Sequence, residues 1–323
     1  MDYQYSLLHL TDVHVIPEGL LYGEADTRAA LADALDAAVA SGRKFDAIIL
    51  SGDNTDSGDE ASYRIIAELV EAAAAELGAQ VVYAAGNHDE RGALRAGLLG
   101  LDPTTEPFDH VVRVGGLRIA TLDTSLPGKP YGQLDQEQLD WLAGQLAEPA
   151  EHGTVLVLHH PPLAGLSPGF EDPQHGRHLD LREPERLAEV VRGTDVRLIL
   201  AGHTHSAAAG QFAGIPVWIG PGNAYAADPM APHRPGPRRP AAGLHPGGHH
   251  PGGLPHGAGA AAPGEAGVPA AADRAGRIPD GRSLTEDWYP LRVQPPPRRS
   301  PASRLTSAGP GSDARCCPAG PHI

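Results

Sequence analysis

Five short apolar segments, spread over the first two-thirds of the chain, each end in a cluster of polar residues. The segments span residues 7–11, 47–51, 80–85, 154–158 and 196–201. Their nearly continuous isoleucine, valine, leucine and alanine content predicts strands buried on both faces, because a strand with one wet face alternates apolar and polar residues. Sheets covered on both faces are typical of α/β proteins. The sequence therefore predicts an α/β fold.

Amphipathic segments between these strands predict the helices that cover the sheets. They span residues 25–40, 60–77, 133–146 and 183–191. In the first segment, Leu31, Leu35 and Val39 recur at every fourth position, and Asp26 or Thr27 is the predicted N-cap. Two further pairs of apolar segments, within residues 111–122 and 207–219, indicate hairpins, the first with a Gly-Gly turn.

The polar clusters carry carboxylate, amide and imidazole groups. They are Asp12-Val13-His14, Gly52-Asp53-Asn54, Gly86-Asn87-His88-Asp89, His159-His160-Pro161 and Gly202-His203-Thr204-His205. In open α/β sheets, binding sites form at the carboxyl edge of the strands, so five such turns predict a single site. The glycines at 52, 86 and 202 are expected to let the backbone bend sharply and come close to a bound ion or phosphate.

Seven side chains in these clusters are candidate metal ligands, which is more than one ion needs. They are Asp12, His14, Asp53, Asn87, His159, His203 and His205. Two four-coordinate ions could be served if one carboxylate bridges them, and Asp53 is the candidate for that bridge. Two ions about 3.5–4 Å apart can clamp a phosphoryl group and acidify a shared water. Because no cysteine lies near these segments, the mixed ligand set suits manganese, iron or zinc rather than a thiolate zinc or iron–sulfur site.

The motifs D-x-H, G-D-x, G-N-H-D, H-x-P and G-H-x-H, in this order, resemble those of the calcineurin-like metallophosphoesterases. The resemblance implies a four-layer α/β/β/α sandwich of two mixed sheets flanked by helices. It also implies two divalent or mixed-valence metal ions, with iron or manganese preferred and zinc as the alternative. Carried over by position, Asp12, His14, Asp53 and His205 would hold the first ion, and Asp53, Asn87, His159 and His203 the second.

The same resemblance implies a hydrolase in which a metal-bridging hydroxide attacks phosphorus. His88 would contact the phosphate and act as general acid, with Asp89 orienting it. Flanking segments, among them Tyr22-Gly23 and Gly132-Gln133-Leu134, are similar to the bacterial class III cyclic-nucleotide phosphodiesterases. A small-molecule phosphoester, a 3′,5′-cyclic nucleotide such as cAMP, is therefore the expected substrate. A glycerophosphodiesterase or a broad phosphomonoesterase is the alternative, and a metal-binding scaffold without turnover is the alternative of another class.

Several neighbouring polar residues have more ordinary interpretations. His9 lies within the first strand and is interpreted as a histidine of the sheet. His160 is interpreted as a residue that supports the ligands or faces the substrate. Asp123 and Thr124 end another apolar strand and are expected to cap a turn. Substrate specificity is assigned to loops such as residues 162–178.

Charge divides the chain into two parts. Residues 1–229, the predicted catalytic domain, carry 34 acidic and 14 basic side chains, whereas residues 230–323 carry 6 acidic and 11 basic ones. An acidic catalytic domain disfavours a nucleic-acid substrate, and hence a nuclease, because nucleic-acid binding needs a basic surface. No run of 18 apolar residues occurs and the N-terminus lacks a signal-peptide pattern, so a cytoplasmic protein without a membrane span is expected. A homodimer is left open.

The segment from Met230 onward differs in kind, with 18 prolines and 15 glycines. It cannot bury enough apolar surface to offset the entropy lost on ordering, so residues 230–323 are predicted to be a disordered, low-complexity tail. A linker or partner-binding role is one alternative. A shifted reading frame is another, because proline, arginine, alanine and glycine have codons rich in G and C. The family continues here with strand-forming sequence, whose loss would leave a sheet edge uncovered.

Overall fold

The computed structural model describes residues 5–163, 180–226 and 291–293. In chain order its elements are β1 (Tyr5–Leu10), α1 (Thr27–Ala40), β2 (Ala47–Ser51), α2 (Glu60–Leu77), β3 (Gln80–Ala84), α3 (Arg91–Leu99), β4 (His110–Val114), β5 (Leu117–Leu122), α4 (Gln136–Leu146), β6 (Thr154–Leu158), α5 (Pro184–Val191), β7 (Val196–Ala201), β8 (Ala208–Phe212), β9 (Ile215–Ile219) and β10 (Leu291–Val293). All the predicted strands, helices and hairpins are present, with end points that differ by up to three residues.

The strands form two sheets. The first has the order β10-β1-β2-β3, and the second has the order β4-β5-β6-β7-β9-β8. Neighbours from β1 to β3 and from β5 to β9 along the sheet are parallel. The outer strands β10, β4 and β8 are antiparallel to their neighbours. Both sheets are therefore mixed, as predicted.

Successive residues of strands such as β1 and β6 point into different cores. Leu7 of the first sheet and Ile119 of the second share a core between the two sheets. Leu8 faces the opposite way, into a core with α1, α2 and α3. Leu156 of the second sheet faces a third core with α4 and α5. These three cores confirm the four-layer α/β/β/α sandwich, and they explain the continuous apolar strands, because both faces of each sheet are covered.

Aspartate side chains fix where α1 and α4 begin. Oδ1 of Asp26 accepts a hydrogen bond from Ala29 N at 3.0 Å, which confirms the predicted N-cap. Asp135 and Gln138 form a reciprocal capping box at the start of α4. Because these caps precede the first helical residue, α1 and α4 begin later than the apolar pattern alone predicts.

Helix α3 was not predicted. It has nine residues, two of them glycines, and its buried leucines are Leu94 and Leu98, so the helical period is repeated only once. Its start is fixed by Glu90, whose carboxylate accepts hydrogen bonds from the backbone of Gly92 and Ala93. Helix α3 packs against α2 in the outer core of the first sheet.

Three residues near the C-terminus form a strand. β10 pairs antiparallel with β1, from Tyr5 opposite Val293 to Leu7 opposite Leu291. An uncovered sheet edge was expected in this part of the fold, whereas the edge of β1 is paired at these positions. Disorder was predicted for all of residues 230–323; these three are instead in a strand, and the remainder lie outside the described residues. Within the described ranges, no helix is both long enough and apolar enough to cross a membrane.

A chain that ends after residue 229 lacks β10 and should be less stable than one that ends after residue 296, because backbone groups of β1 lose their partners. Each kcal/mol lost lowers Tm by about 2–4 °C in a chain of this size, which calorimetry resolves. Both chains should bind metal equally, because every candidate ligand precedes residue 206. Equal Tm values, without concentration-dependent association of the shorter chain, would contradict the pairing of β1 with β10.

Candidate metal centre

The five polar clusters come together at the carboxyl ends of β1, β2, β3, β6 and β7. Backbone hydrogen bonds join the turns of the first sheet: Asp12 N donates to Gly52 O at 3.1 Å, and His14 N donates to Asp53 O at 3.0 Å. The two sheets are joined where His203 N donates to both oxygens of the Asp12 carboxylate, at 3.1 and 3.0 Å. The five turns thus meet at a single site, as the sequence predicts, and that site is built from both sheets.

The Asp53 carboxylate lies between imidazoles from both sheets. Its Oδ2 is 3.6 Å from His14 Nε2 and 3.3 Å from His159 Nε2. Its Oδ1 accepts a hydrogen bond from His88 N at 2.8 Å. Burial alone would raise the pKa of Asp53, but the neighbouring histidines, His159 foremost, hold that pKa well below its usual range. Asp53 is therefore an anion, with one oxygen directed between two rings.

The His159 ring shows the complementary effect. Burial alone would lower its pKa, but the Asp53 and Asp12 carboxylates raise it to about 9. Its Nδ1 is 3.0 Å from the backbone oxygen of Ser51, so the ring donates the Nδ1 proton there and directs Nε2 towards Asp53. A cation bound at Nε2 would use the lone pair that a proton occupies in the protonated ring.

Four overlapping groups of side chains can hold a metal ion. They are Asp12 with His14 and His205, His14 with Asp53 and His88, Asp12 with Asp53 and His159, and His159 with His160 and His203. Within each group the candidate ligand atoms lie within 4.8 Å of one another. Four side chains, Asp12, His14, Asp53 and His159, each belong to two groups. The cluster is therefore large enough for two adjacent ions.

Some polar atoms of the cluster are buried without a hydrogen-bond partner. Asn87 Oδ1 is one of them, and Nε2 of His160 is another. An unsatisfied buried polar atom costs about 1–3 kcal/mol, and such atoms are rare in folded proteins. Asn87 Oδ1 presents a lone pair that a cation can accept. Together with the buried carboxylates, this donor fits divalent metal ions.

Five of the seven predicted ligands have a left-handed backbone. Their φ angles are 52° at Asp12, 40° at His14, 49° at Asp53, 72° at His203 and 52° at His205. For residues other than glycine this conformation costs about 1–3 kcal/mol each, and it persists where surrounding contacts enforce it, often at functional sites. The strain is concentrated in the turns that direct these side chains to one point, which favours a binding site over a packing feature.

The glycines of these turns allow the loops to approach one another. Only Gly52 among the three predicted ones has a left-handed φ, 101°, and a Cβ there would lie 2.8 Å from Gly86 N. A Cβ on Gly86 would overlap the backbone and carboxylate of Asp53, and one on Gly202 would lie 2.6 Å from Oδ2 of Asp12. The predicted sharp bend holds for Gly52, whereas Gly86 and Gly202 make room for two aspartates of the cluster.

His88 lies at the mouth of the cluster, with 30% of its side chain exposed. Its Nδ1 is 2.8 Å from the backbone oxygen of Asp56, so the ring donates its Nδ1 proton to that carbonyl. The Asp56 carboxylate is 3.7 Å from the same nitrogen. The prediction that Asp89 orients His88 is therefore wrong: Asp56 holds the ring.

Asp89 is turned away from His88 and into the first sheet. Its carboxylate accepts hydrogen bonds from Gly86 N at 2.8 Å, from the backbone and side-chain nitrogens of Asn54, and from the Tyr63 hydroxyl at 2.9 Å. Burial and the nearby Asp53 raise its pKa. Asp89 thus fixes the turns that carry Asp53 and Asn87, and it was assigned the wrong role because adjacency in sequence does not determine side-chain direction.

His160 is buried beside the predicted ligands, as expected. Its Nδ1 is 2.8 Å from the Thr124 hydroxyl, and its ring centroid is 4.4 Å from that of His203. Burial, His203 and His159 hold the pKa of His160 well below its usual range, so the ring is neutral. Thr124 therefore contacts the site through His160. His9 is a histidine of the sheet, as predicted, and burial lowers its pKa to about 4.

Three residues beside the cluster were given no role from the sequence. Oδ1 of Asp56 is 3.6 Å from His14 Nδ1. The Tyr22 hydroxyl donates to the same carboxylate oxygen at 3.3 Å. The Tyr225 ring stacks on His205 with centroids 4.2 Å apart. A single sequence carries little signal for such contacts, although Asp56 closely follows a predicted ligand. Residues 164–179, most of the loop assigned to specificity, lie outside the described residues.

Comparison with known proteins identifies the class. The chain matches the model of the calcineurin-like phosphoesterase family over residues 5–207, and it belongs to that family. This family uses a dinuclear metal centre, and the Asp/His cluster described above supplies groups that can bind metal. The protein is therefore a metallophosphoesterase, an enzyme that hydrolyses phosphoric esters.

Individual relatives narrow the comparison. The chain is 45% identical over 225 residues to a probable cyclic nucleotide phosphodiesterase of Rhodococcus erythropolis, covering 70% of this chain and 73% of the relative. It is 44% identical over 225 residues to a cAMP/cGMP dual specificity phosphodiesterase of Mycobacterium tuberculosis, covering 69% of each. Its structure is similar to that of a dimetal phosphatase from Danio rerio, with a TM-score of 0.50, 17% identity, and coverage of 71% of this chain and 90% of that one. The last likeness shows the shared fold.

Gly202→Ala should lower Tm and reduce bound metal, because its Cβ would overlap the Thr11 hydroxyl, lie 2.6 Å from Oδ2 of Asp12 and push the two sheets apart at the cluster. Gly144→Ala is the matched control: Gly144 lies in α4 with nothing within 4 Å of a Cβ, and alanine is favoured over glycine in a helix by roughly 0.5–1 kcal/mol. Calorimetry and metal analysis of the two variants provide the comparison. If Gly202→Ala matches the control in both, the close packing of this turn does not matter to the site.

Proposed function

We propose that this enzyme hydrolyses 3′,5′-cyclic nucleotides, cAMP among them, with two metal ions held by the Asp/His cluster. The observation that carries the proposal is the position of Asp53: its carboxylate lies between His14 and His159, within 3.6 and 3.3 Å. A carboxylate placed in this way can serve two ions at once. The names of the two bacterial relatives support a cyclic nucleotide as the substrate.

The proposed ligands divide into two sets that share Asp53. The first set is Asp12, His14, Asp53 and His205, and the second is Asp53, Asn87, His159 and His203. The group of Asp12, His14 and His205 supports the first set, and the unpartnered Asn87 Oδ1 supports the second set. The donors are oxygen and nitrogen atoms without a thiolate, a set that suits manganese, iron or zinc. The resemblance to the family is the ground for preferring iron and manganese, with zinc as the alternative.

Two ions held by these residues would neutralise the charge of a phosphoryl group and make the attacking water more acidic. The chain's own contribution begins with orientation, because the turns fix Asp53 and Asp12 from two different sheets. His88 is the proposed proton donor to the leaving oxygen. Its Nδ1 proton is used by the Asp56 carbonyl, which leaves Nε2 as the atom that exchanges a proton. The Asp56 carboxylate lies 3.7 Å from the same Nδ1.

A small phosphodiester fits the electrostatics of the domain better than a polymer. The excess of acidic side chains in residues 1–229 disfavours a long polyanion. The presence of all seven proposed ligands together with His88 favours turnover over a metal-binding scaffold. The metal pair, a cytoplasmic location and the oligomeric state stay predictions.

Substrate assays test the proposal. Hydrolysis of bis(p-nitrophenyl) phosphate with added Mn²⁺ tests the reaction class, and a panel of cAMP, cGMP, glycerophosphocholine and p-nitrophenyl phosphate tests the substrate. The highest kcat/KM is expected for the cyclic nucleotides. A higher value for glycerophosphocholine or for the monoester would replace the proposed substrate class with one of those alternatives.

Asp53→Ala should abolish activity and lower the metal content of both sites together, because the carboxylate belongs to both ligand sets. Asp26→Ala is the control: it removes a helix cap worth about 0.5–2 kcal/mol at a residue that belongs to none of the metal-binding groups, and it should keep both metals. Metal analysis by plasma mass spectrometry provides the readout. One ion retained at full occupancy in Asp53→Ala would show that Asp53 does not bridge.

His88→Ala should keep both metals and lower kcat by about 10²- to 10⁴-fold, the usual contribution of a general acid. Aryl esters with good leaving groups should be affected least, because they need no proton. Asp89→Asn should lower Tm without changing this dependence on the leaving group, because Asp89 supports the turns. An equal loss for all leaving groups in His88→Ala would reject proton donation and leave a role in binding phosphate.

A further inference from the structure

Two tyrosines beside the buried cluster are exposed. Tyr22 is 61% exposed and Tyr225 is 40% exposed, whereas Asp12, His14 and Asp53 are almost completely buried. Scattered exposed apolar residues are normal on a protein surface, but exposed aromatic rings that contact one another beside a functional site can mark a binding site. Their position is set by contacts with the cluster itself.

Tyr225 is attached directly to the proposed first metal site. Its backbone oxygen is 3.0 Å from His205 Nδ1, which donates to it. Its ring stacks on the His205 ring at 4.2 Å and 24° and lies 6.0 Å from the His14 ring. One face of the tyrosine is thus covered by a proposed ligand, and the side chain still remains two-fifths exposed. The backbone before it is also fixed, because Ala224 N donates to Asp12 O.

Tyr22 extends the same aromatic surface away from the cluster. Its ring meets that of Tyr225 edge-on, with centroids 6.1 Å apart at 66°. Its hydroxyl donates to Asp56, the residue whose carbonyl holds His88. Tyr22 has a left-handed φ of 55°, which costs energy in a residue with a bulky side chain. The turn is therefore strained in a way that places an exposed ring next to the mouth of the site.

We propose that Tyr22 and Tyr225 form an aromatic wall on which the base of the nucleotide substrate stacks while its cyclic phosphate occupies the metal centre. The inference rests on the proposed function, because it assigns substrate recognition to that site. In a 3′,5′-cyclic nucleotide one sugar ring separates the base from the phosphorus. When the phosphate is at the buried metal centre, the base therefore lies further out, at the level of the two exposed tyrosines. A glycerol-based diester has no planar ring for this surface.

The wall also predicts which nucleotides are accepted. Stacking depends on the π-face that every base has, so it discriminates weakly between adenine and guanine. Recognition by this wall alone therefore gives a similar KM for cAMP and cGMP. The Asp56 carboxylate beside Tyr22 adds negative charge, which disfavours nucleotides with further phosphates at that end of the site.

Binding of two product-like ligands that differ only in the base tests the wall. The probes are 5′-AMP and ribose 5-phosphate, measured by isothermal titration calorimetry with the Mn²⁺-loaded enzyme. We expect 5′-AMP to bind about 5- to 150-fold more tightly, the range that base–aromatic stacking supplies per base. The ratio of the two dissociation constants, ribose 5-phosphate over 5′-AMP, measures the contribution of the base. Tyr22→Ala and Tyr225→Ala should each reduce this ratio towards one, whereas Tyr22→Phe and Tyr225→Phe should keep it.

Controls separate the wall from other effects. Leu101→Ala removes another exposed apolar side chain, 53% exposed and outside the cluster, and should leave the ratio unchanged. Metal content is measured for every variant. If Tyr225→Ala loses metal, Tyr22→Ala decides the question, because the Tyr22 hydroxyl contacts Asp56 rather than a proposed ligand.

The outcomes distinguish the wall from the proposed function. A ratio near one in the wild type, or an unchanged ratio in the alanine variants, overturns the wall even if cAMP is hydrolysed. A ratio that falls in the alanine variants supports the wall even if cyclic nucleotides are not hydrolysed, because the calorimetry does not depend on turnover. Failure of the proposed function is read separately, from the substrate panel.

Discussion

The buried negative charge of Asp12 and Asp53 is the constraint on which the rest of the site depends. Both carboxylates lie where the two sheets meet, and both are almost inaccessible to solvent. A buried charge is tolerated only when it is paired and hydrogen-bonded. His203 N and His88 N supply hydrogen bonds from turns of different sheets. Imidazole rings are the remaining neighbours of the two carboxylates. In our proposal, two cations neutralise the negative charge that is left.

This constraint explains why strain and unsatisfied atoms occur together here. Left-handed backbone at five proposed ligands, an unpartnered amide oxygen on Asn87 and two adjacent carboxylates all oppose folding without a cation. Because metal binding is linked to the free energy of the folded state, bound ions would compensate these costs. The three apolar cores hold the strained turns in place, because each of these turns follows a strand of a sheet that is packed on both faces.

The strands and the ligand-bearing turns could be predicted because their signals are local. The unbroken apolar run Ala47–Ser51 identifies a strand. Gly52 and Asp53 follow it directly and identify the ligand-bearing turn. Helix α3 could not be predicted, because its two glycines weaken the periodic pattern. The role of Asp89 was wrong because the turn directs His88 outward and Asp89 inward. Asp56 and the two tyrosines were missed because their contacts arise from tertiary packing, which a single sequence does not encode locally.

Anomalous diffraction from crystals grown with Mn²⁺ is the decisive test of Asp53 as a shared ligand, because it locates each ion independently of activity. We expect two ions for each chain, about 3.5–4 Å apart, with the Asp53 carboxylate bound to both. A single ion, or two ions that do not share Asp53, would contradict this expectation.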